Sequence, residues 1–567
     1  MYILGIHPGG HDTSASLLKN GKIIIAVEEE RFSKVKHSTK FPELAINECL
    51  RYAKIKINEV DVITLSGDYK LHIQKRYLEN WSKYFPKNKH RVISEFNDFQ
   101  KISLINEYIR KKYNFNGIIY QCRHHLAHFA SSYYISNFKK SALYSIDGVG
   151  DYESSLSGYV KNNNFKIFDE CTVSYPHSIG LVYTAITAWL GFIPHCDEGK
   201  TMGLAPYGDY KKYYLEFKKI IKFEKFGKIS INLDYFNYPF HRRSNVSNKF
   251  CSVFGSHRKK NQKLTKIHMN VAATLQFFCE KTLIHGLNYL YKKTKSSNLS
   301  LAGGVALNCV ANGKIFKYTK FKNVSVQPAA GDAGTSLGSA LYWYNCVRKK
   351  KINKFKKLSI EKNIYAGPEF SDYEILKEIK KNKLKYKISK NIYNEVSQLL
   401  KEQKIVGWFN GRMEFGPRAL GNRSILTSPY PNKMKDILNL RVKKRESFRP
   451  FAPAILRERV YDYFEFTHDS PHMLFAMNVK LKKIKSIPAV THIDKTARVQ
   501  TVDKKNNEKF YNLINAFYKK TNIPVLLNTS LNIMGQPICY DPSDAIKTFL
   551  QNDIDYLILN AKYILKK

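Results

Sequence analysis

Asn298-Leu299-Ser300-Leu301-Ala302-Gly303-Gly304-Val305-Ala306-Leu307-Asn308 is a short apolar run, a Gly-Gly turn and the start of a helix. The same unit returns at Gln327-Pro328-Ala329-Ala330-Gly331-Asp332-Ala333-Gly334-Thr335-Ser336-Leu337-Gly338, where a strand ends at Asp332 and a helix runs on to about Tyr344. Both units put glycine-exposed N–H groups at a helix N-terminus, which suits a phosphate. One glycine-rich turn is weak evidence. Two in one α/β domain point to a phosphate-holding site, and Asp332 beside those donors is placed like a metal ligand.

Upstream lies Arg123-His124-His125-Leu126-Ala127-His128. A helix over 124–134 sets His124 and His128 on one face and turns His125 about 100° away. Asp147 closes a buried strand of Ala142, Leu143, Tyr144, Ser145 and Ile146, and Gly148 turns the chain. Two imidazoles one turn apart and a carboxylate at a strand end can hold a divalent metal with positions left open. Two capped or core histidines are the other reading, and the spacing alone does not choose.

At the N-terminus, strand 2–6, the turn Pro8-Gly9-Gly10-His11-Asp12-Thr13-Ser14 and strand Ala15–Leu18 precede Asn20-Gly21 and a return strand Lys22–Val27. Such a hairpin offers N–H groups and hydroxyls to a polyphosphate. Glu28-Glu29-Glu30-Arg31-Phe32-Ser33-Lys34 leaves it with dense charge, and a helix follows over Glu43–Ala53. The pattern then predicts strand Val60–Ser66 and helices over 70–84 and about 98–113. A further helix follows Pro176 to about Leu190. Asp197 to Gly208 reads as a glycine- and proline-punctuated loop, either functional or a connector. Residues 209–265 are basic and aromatic, with Tyr213-Tyr214-Leu215-Glu216-Phe217 and His241-Arg242-Arg243. They suit a nucleic-acid patch or, the favoured reading, a lid over a small-molecule site. A long helix follows over Thr265–Lys293.

The chain has 567 residues, 43% hydrophobic and 13% aromatic, which predicts two to four folded domains. The N-terminal residues lack the basic and apolar segments of a leader, and no run of about 18 apolar residues suggests a membrane span. Nine scattered cysteines without a Cys-x-x-Cys pair fit reduced thiols and a cytoplasmic location. The net charge of +46 suggests a phosphate-bearing partner, but the lysines are spread through the chain and read as solvated faces.

A charged linker at Lys349–Lys357 divides the chain. Beyond it, Val406 to Ser424 is a strand entering a Gly/Arg loop, and Lys443-Lys444-Arg445-Glu446-Ser447-Phe448-Arg449-Pro450 sets cations between aromatics. Arg498 follows, and Leu527-Asn528-Thr529-Ser530 ends a strand with amides and hydroxyls. Guanidinium forks bind phosphate oxygens in pairs, so these loops can line a polyphosphate pocket.

Several stretches together resemble the NodU/CmcH O-carbamoyltransferase family, whose members carbamoylate nodulation factors, cephamycin precursors and tobramycin. They are Gly10-His11-Asp12, Glu28 to Phe32, His124 to His128, Asp147-Gly148, Gly199 to Gly208, Gly303 to Asn308, Gly331 to Gly334, Gly411 to Ser424, Arg445 to Pro453, Thr496 to Val499 and Asn528 to Asn532. Leu531 replaces the usual aromatic, and 209–265 match poorly. The resemblance implies an actin/Hsp70-like (ASKHA) duplicated domain over 1–350, a basic linker at 351–365 and a YrdC-like α/β domain over 366–567. It implies that carbamoyl phosphate and ATP, with Mg²⁺, form carbamoyl-adenylate in the second domain, and that the first passes the carbamoyl group to an acceptor hydroxyl. Metal ligands would be His124, His128, Asp147 and Asp332, holding Fe²⁺ or another divalent ion. His11 and Asp12 would be catalytic. Phosphate and nucleotide contacts would fall on Gly303, Gly304, Asn308, Gly331, Arg418, Lys443, Arg449, Arg498, Asn528 and Ser530, with a lysine at position 35. A secondary-metabolite, antibiotic or glycan acceptor is expected, and a homodimer is left open. The alternatives are a threonylcarbamoyl-type tRNA-modifying enzyme, a basic nucleic-acid-binding protein, and a sugar- or acetate-kinase-like ATPase that would leave 405–532 without a role.

Overall fold

The computed structural model describes residues 1–242, 245–348, 364–465 and 468–567. The chain forms two compact units, residues 1–26 with 39–361 and residues 27–38 with 362–567. Arg243 and most of the expected linker lie outside the described residues.

The first unit is built on one topology used twice. Its first sheet has strand order β3-β2-β1-β4-β5, from β1 (Tyr2–His7), β2 (Ser14–Lys19), β3 (Lys22–Glu28), β4 (Val62–Leu65) and β5 (Ile118–Gln121). β1 runs antiparallel to β2 and parallel to β4, which runs parallel to β5. In the second sheet β8 (Asn164–Ile167), β7 (Glu153–Lys161) and β6 (Lys140–Ile146) form the antiparallel trio, and strands 298–302 and 323–326 continue it in parallel. Each half therefore reads as a hairpin strand pair, a central strand and two parallel crossovers. This is the duplicated actin/Hsp70-like arrangement expected from the sequence.

The central strands are apolar because helices cover them. Ile3, Leu4, Ile6, Leu143, Leu299 and Leu301 are each fully buried. A helix follows the fifth strand of each sheet: His124–Tyr134 after β5 and Ala333–Tyr342 after strand 323–326. Small residues let these two helices cross closely. A Cβ on Gly338 would stand 1.9 Å from the Ala127 carbonyl oxygen, so no other residue fits there. Buried hydroxyls tie the crossing to the first sheet: Ser14 Oγ donates to Ala333 O at 2.8 Å, and Thr64 Oγ1 lies 2.9 Å from Ser339 Oγ.

Three expectations need correction. Residues 197–208 are not an open loop: Glu198–Leu204 is helical and Ala205–Tyr207 adds a 3₁₀ turn, with Pro206 tolerated near the start of that turn. The helix expected at 98–113 is two, Lys89–Ser103 and Ile105–Tyr113, broken at Leu104. The aromatics of 209–265 do not form a stacking platform. Tyr210 stacks on Phe277 at 4.2 Å, and Phe217, Phe250 and Phe254 are buried against the long helix Lys266–Thr294 and its neighbours.

In the second unit a sheet of eight strands runs in the order 387–388, 563–566, 556–559, 406–409, 423–427, 525–530, 452–456, 500–502, mixing parallel and antiparallel pairs. Helices Ile392–Lys401 and Glu508–Thr521 cover one face through Val396, Leu400, Phe510, Leu513 and Phe517, packed on Trp408 and Leu526. The second unit is thus a mixed α/β sheet, the class expected from the sequence. Among the described residues no helix is long and apolar enough to cross a membrane.

Because the helix crossing has no slack, Gly338→Ala should destabilise the first unit by about 3 kcal/mol, as overpacking of a close contact does. Chemical denaturation would read this. The same exchange at Gly199, in helix Glu198–Leu204 where a Cβ meets nothing within 4 Å, should be neutral or stabilising by up to about 1 kcal/mol.

Candidate metal and oxyanion sites

The duplicated fold brings four elements together at one point. His124 and His128 lie on the first turns of helix 124–134, Asp332 lies at the start of helix 333–342, and Asp147 ends β6. The equivalent turn of the first sheet, after β1, carries His11 and Asp12. Asp332 and the two histidines thus come from matching helices of the two halves, and Asp147 and His11 from matching strand ends.

Ligand atoms of His124, His128, Asp147 and Asp332 all lie within 4.8 Å of one another. His124 Nε2 is buried without a hydrogen-bond partner, 3.5 Å from Asp332 Oδ1 and 3.8 Å from Asp147 Oδ2. Ligands about 2.1 Å from one ion stand about 3–4 Å apart, so these spacings fit a shared divalent ion better than hydrogen bonds. His124 Nδ1 donates to Ser66 O at 3.2 Å, which orients the ring with Nε2 towards the carboxylates. His128 Nε2 lies 2.9 Å from Asp147 Oδ2. Burial alone would drive the His124 pKa down. Asp147 and Asp332 outweigh it and hold the imidazole well above its ordinary range, the field that a cation would meet. The donor set, two imidazoles and two carboxylates, suits a borderline divalent metal.

Around this group the backbone is closely shaped. Gly303 has φ +97°, and a Cβ there would stand 2.1 Å from Ile146 O. A Cβ on Gly304 would come 2.9 Å from Asp147 Oδ1, and one on Gly331 would come 3.9 Å from Asp12 Oδ2, so both glycines border the site. Asn308 lies further back: it caps helix Cys309–Tyr318 through Ala311 N at 3.0 Å and pairs with Gln276. His11 has both ring nitrogens engaged, Nδ1 with Asp12 Oδ2 at 2.9 Å and Nε2 with the carbonyl of His195.

Sequence reasoning missed His7, Asp151 and Glu153. His7 Nε2 sits 3.0 Å from His11 O and 3.6 Å from Asp332 Oδ2, and burial lowers its pKa to about 4, so it is neutral and donates to that carbonyl. Asp151 Oδ2 accepts the His124 N–H at 2.7 Å, capping the histidine helix from a distance, and burial pushes its pKa up to about 7. Glu153 pairs with Arg123, and its carbonyl accepts from His125 Nε2 at 3.0 Å. The signal was position: the end of β1 for His7, the turn after β6 for Asp151 and the start of β7 for Glu153.

In the second unit Lys443 Nζ donates to Asn532 Oδ1 at 2.7 Å and to Ser530. Burial, then Arg445 and Arg449, force its ammonium well below the usual lysine range, and burial with Arg449 and Arg498 lowers Arg445 to about 9. Asn528 donates to Ala419 O at 3.2 Å, beside Arg418, and Gln500 joins it at 2.9 Å. Lys443, Arg449, Arg498, Asn528, Ser530 and the Arg418 loop therefore gather at one end of the sheet. Position 35 is a correction: it is Val35, 59% exposed, and supplies no cation. Its neighbour Lys34 pairs with Asp544, while Lys36 adds to the field at Lys443.

Two family models cover most of the chain. Residues 2–341 match the carbamoyltransferase N-terminus and residues 397–567 the carbamoyltransferase C-terminus. The chain belongs to the carbamoyltransferase family. It is 36% identical to a functionally unassigned protein of Synechocystis sp. over all of this chain and 97% of that one. It is 34% identical to nodulation protein NolNO of Sinorhizobium fredii, over 98% of this chain and 79% of the relative. A 3'-hydroxymethylcephem-O-carbamoyltransferase of Streptomyces clavuligerus is 32% identical over 44% of this chain and 45% of that enzyme. The protein is thus a carbamoyltransferase with O-carbamoyltransferase relatives.

Two measurements test the site as described. The full carbamoyltransferase should retain a divalent ion through gel filtration, and His128→Ala should lower the metal content at least tenfold by elemental analysis. His125, buried between Ser145 Oγ at 2.7 Å and Glu153 O, has its pKa lowered by burial from 6.5 to about 4. The folded state therefore binds fewer protons than the unfolded between those values. The stability this group gives is complete above about pH 6.5 and is lost as pH falls towards 4, by about 3 kcal/mol. Urea unfolding across that window should show the loss, and His125→Gln should flatten it by that amount.

Proposed function

We propose that this carbamoyltransferase works in two half-reactions. Carbamoyl phosphate, ATP and one water give carbamoyl-adenylate, phosphate and pyrophosphate in the second unit. The carbamoyl group then passes to a hydroxyl of a small-molecule or glycan acceptor in the first, releasing AMP.

The observation that carries this reading is the lowering of Lys443 and Arg445 by burial and by the neighbouring cations Arg449 and Arg498. Cations depressed in this way are stabilised by an anion among them. Two anionic substrates that repel each other in water need such a field to meet. Arg418 and Arg449 would clamp phosphoryl oxygens, Asn528 and Ser530 would orient the carbamoyl amide, and Lys443 would neutralise the charge that develops on the leaving phosphate.

In the first unit His124, His128, Asp147 and Asp332 would hold Fe²⁺ or a similar ion, which supplies Lewis acidity to the adenylate phosphate and carbonyl. His11 would take the acceptor proton. In the structure its Nε2 donates to the His195 carbonyl; an acceptor hydroxyl that displaces this carbonyl would meet Nε2 of the neutral ring as its proton acceptor, while Asp12 accepts from Nδ1–H. Gly303, Gly304 and Gly331 let the adenylate phosphate approach the backbone.

The full protein should form AMP and pyrophosphate from ATP only when carbamoyl phosphate is present. With a metabolite extract, mass spectrometry should find acceptors heavier by one carbamoyl group. ADP formation, or AMP without carbamoyl phosphate, would overturn the reading. His11→Ala should leave carbamoyl-adenylate formation, read as carbamoyl-phosphate-dependent pyrophosphate exchange into ATP, within about twofold and lower transfer at least 10²-fold. Equal loss of both would remove His11 from the acceptor step.

A further inference from the structure

The stretch Glu28-Glu29-Glu30-Arg31 has no role in the reaction above, yet it is buried in the second unit. Arg31 is 1% exposed and Glu28 is 5% exposed. Arg31 donates through Nε and a terminal nitrogen to both Glu28 carboxylate oxygens, at 3.3 and 3.1 Å, and its other terminal nitrogen lies 3.0 Å from Glu30 Oε1. Burying such a group is costly unless every charge is matched, so an arrangement of this kind calls for a purpose.

Its geometry supplies one. Glu28 Oε1 accepts the Gly416 N–H at 2.8 Å, and Arg31 donates to the Gly416 carbonyl at 2.8 Å. One peptide position, with φ +119°, is thus gripped on its donor and its acceptor by residues almost four hundred positions away in sequence. Gly416 stands two residues before Arg418. The remainder of that loop is fixed from the other side: Glu414 Oε1 accepts the N–H groups of Leu420, Asn422 and Arg423 at 2.8, 2.8 and 3.1 Å. Leu420 O accepts from Tyr365 Oη and Gln500 Nε2, each at 2.8 Å. Phe415 N–H donates to Ile364 O at 3.0 Å on the N-terminal side, and the Glu28–Arg31 grip holds the turn between these two ends, at Gly416.

We propose that Glu28 and Arg31 are positioning residues of the oxyanion site: they clamp Gly416 and so aim Arg418. The inference rests on the reading of Arg418 as an oxyanion contact. It also makes residues 27–38 part of the working second unit, so that a boundary drawn at residue 362 would omit half of the clamp.

A positioning role and a packing role separate in one experiment on the full-length protein. Carbamoyl phosphate binding is titrated by calorimetry, and the carbamoyl-phosphate dependence of pyrophosphate exchange into ATP is measured beside it, for Arg31→Lys, Glu28→Ala and Glu28→Gln. Lysine keeps a charge for Glu28 and Glu30 but cannot reach both them and Gly416 O. Arg31→Lys and Glu28→Ala should raise Kd and KM about tenfold with kcat and bound metal of the folded protein nearly unchanged, Glu28→Ala also lowering the melting temperature by unmatching Arg31, and Glu28→Gln, which still accepts from Gly416 N, should restore most of the affinity. The proposal is overturned if Kd and KM stay at wild-type values, or if only the folded fraction and kcat fall. If wild-type protein itself binds no carbamoyl phosphate, the oxyanion reading fails first, and that result is distinct from a variant-specific null.

Discussion

The crossing of helix 124–134 over helix 333–342 is the contact on which the first unit depends. It is possible because Gly338 leaves room for the Ala127 carbonyl, and it is locked by buried Ser and Thr hydroxyls from the first sheet. Each helix begins where the fifth strand of its sheet ends, so the crossing forces His124, His128 and Asp332 to one point. Asp147 reaches the same point from the strand end that matches the His11 turn. A duplicated fold thereby converts its own pseudo-symmetry into a mixed histidine and carboxylate centre.

The second unit relies on a different constraint, unbalanced positive charge in a buried place. Lys443 and Arg445 are forced below their ordinary ranges by burial and by each other's neighbours, while hydroxyl and amide oxygens rather than carboxylates satisfy their hydrogen bonds. Replacing those oxygens by acids would quench the field, and the site would lose its appetite for anions. The arginine of the neighbouring loop is held by backbone contacts made from Glu414 and from the charged pair Glu28 and Arg31. Rigidity is thus supplied by acids that face the backbone, and attraction by bases that face the site.

Much of this was legible in the sequence. The histidine spacing, the strand ending at Asp147 and the two strand–glycine–helix units named the elements of the first site, because each is a local pattern. His7 and Asp151 were not legible: a histidine at a strand end and a second acid in a turn gain meaning only when the two sheets face each other. The stretch 197–208 was misread because Gly and Pro signal loops on average, whereas here Pro206 sits near the start of a short helical turn that accepts it. The aromatic segment 209–265 suggested a nucleic-acid surface by composition, but composition cannot say that Phe217 and Phe250 face inward. The role of Glu28 and Arg31 was hidden for the simplest reason: their partner is 385 or more residues away.

The central claim is that two residue sets in one chain perform two separable half-reactions. Exchange of labelled pyrophosphate into ATP, dependent on carbamoyl phosphate, reports the first half alone. In His128→Ala this exchange should persist within about threefold while no carbamoylated acceptor forms, and in Lys443→Met it should fall at least 10²-fold. Loss of exchange in His128→Ala as complete as in Lys443→Met would contradict the account.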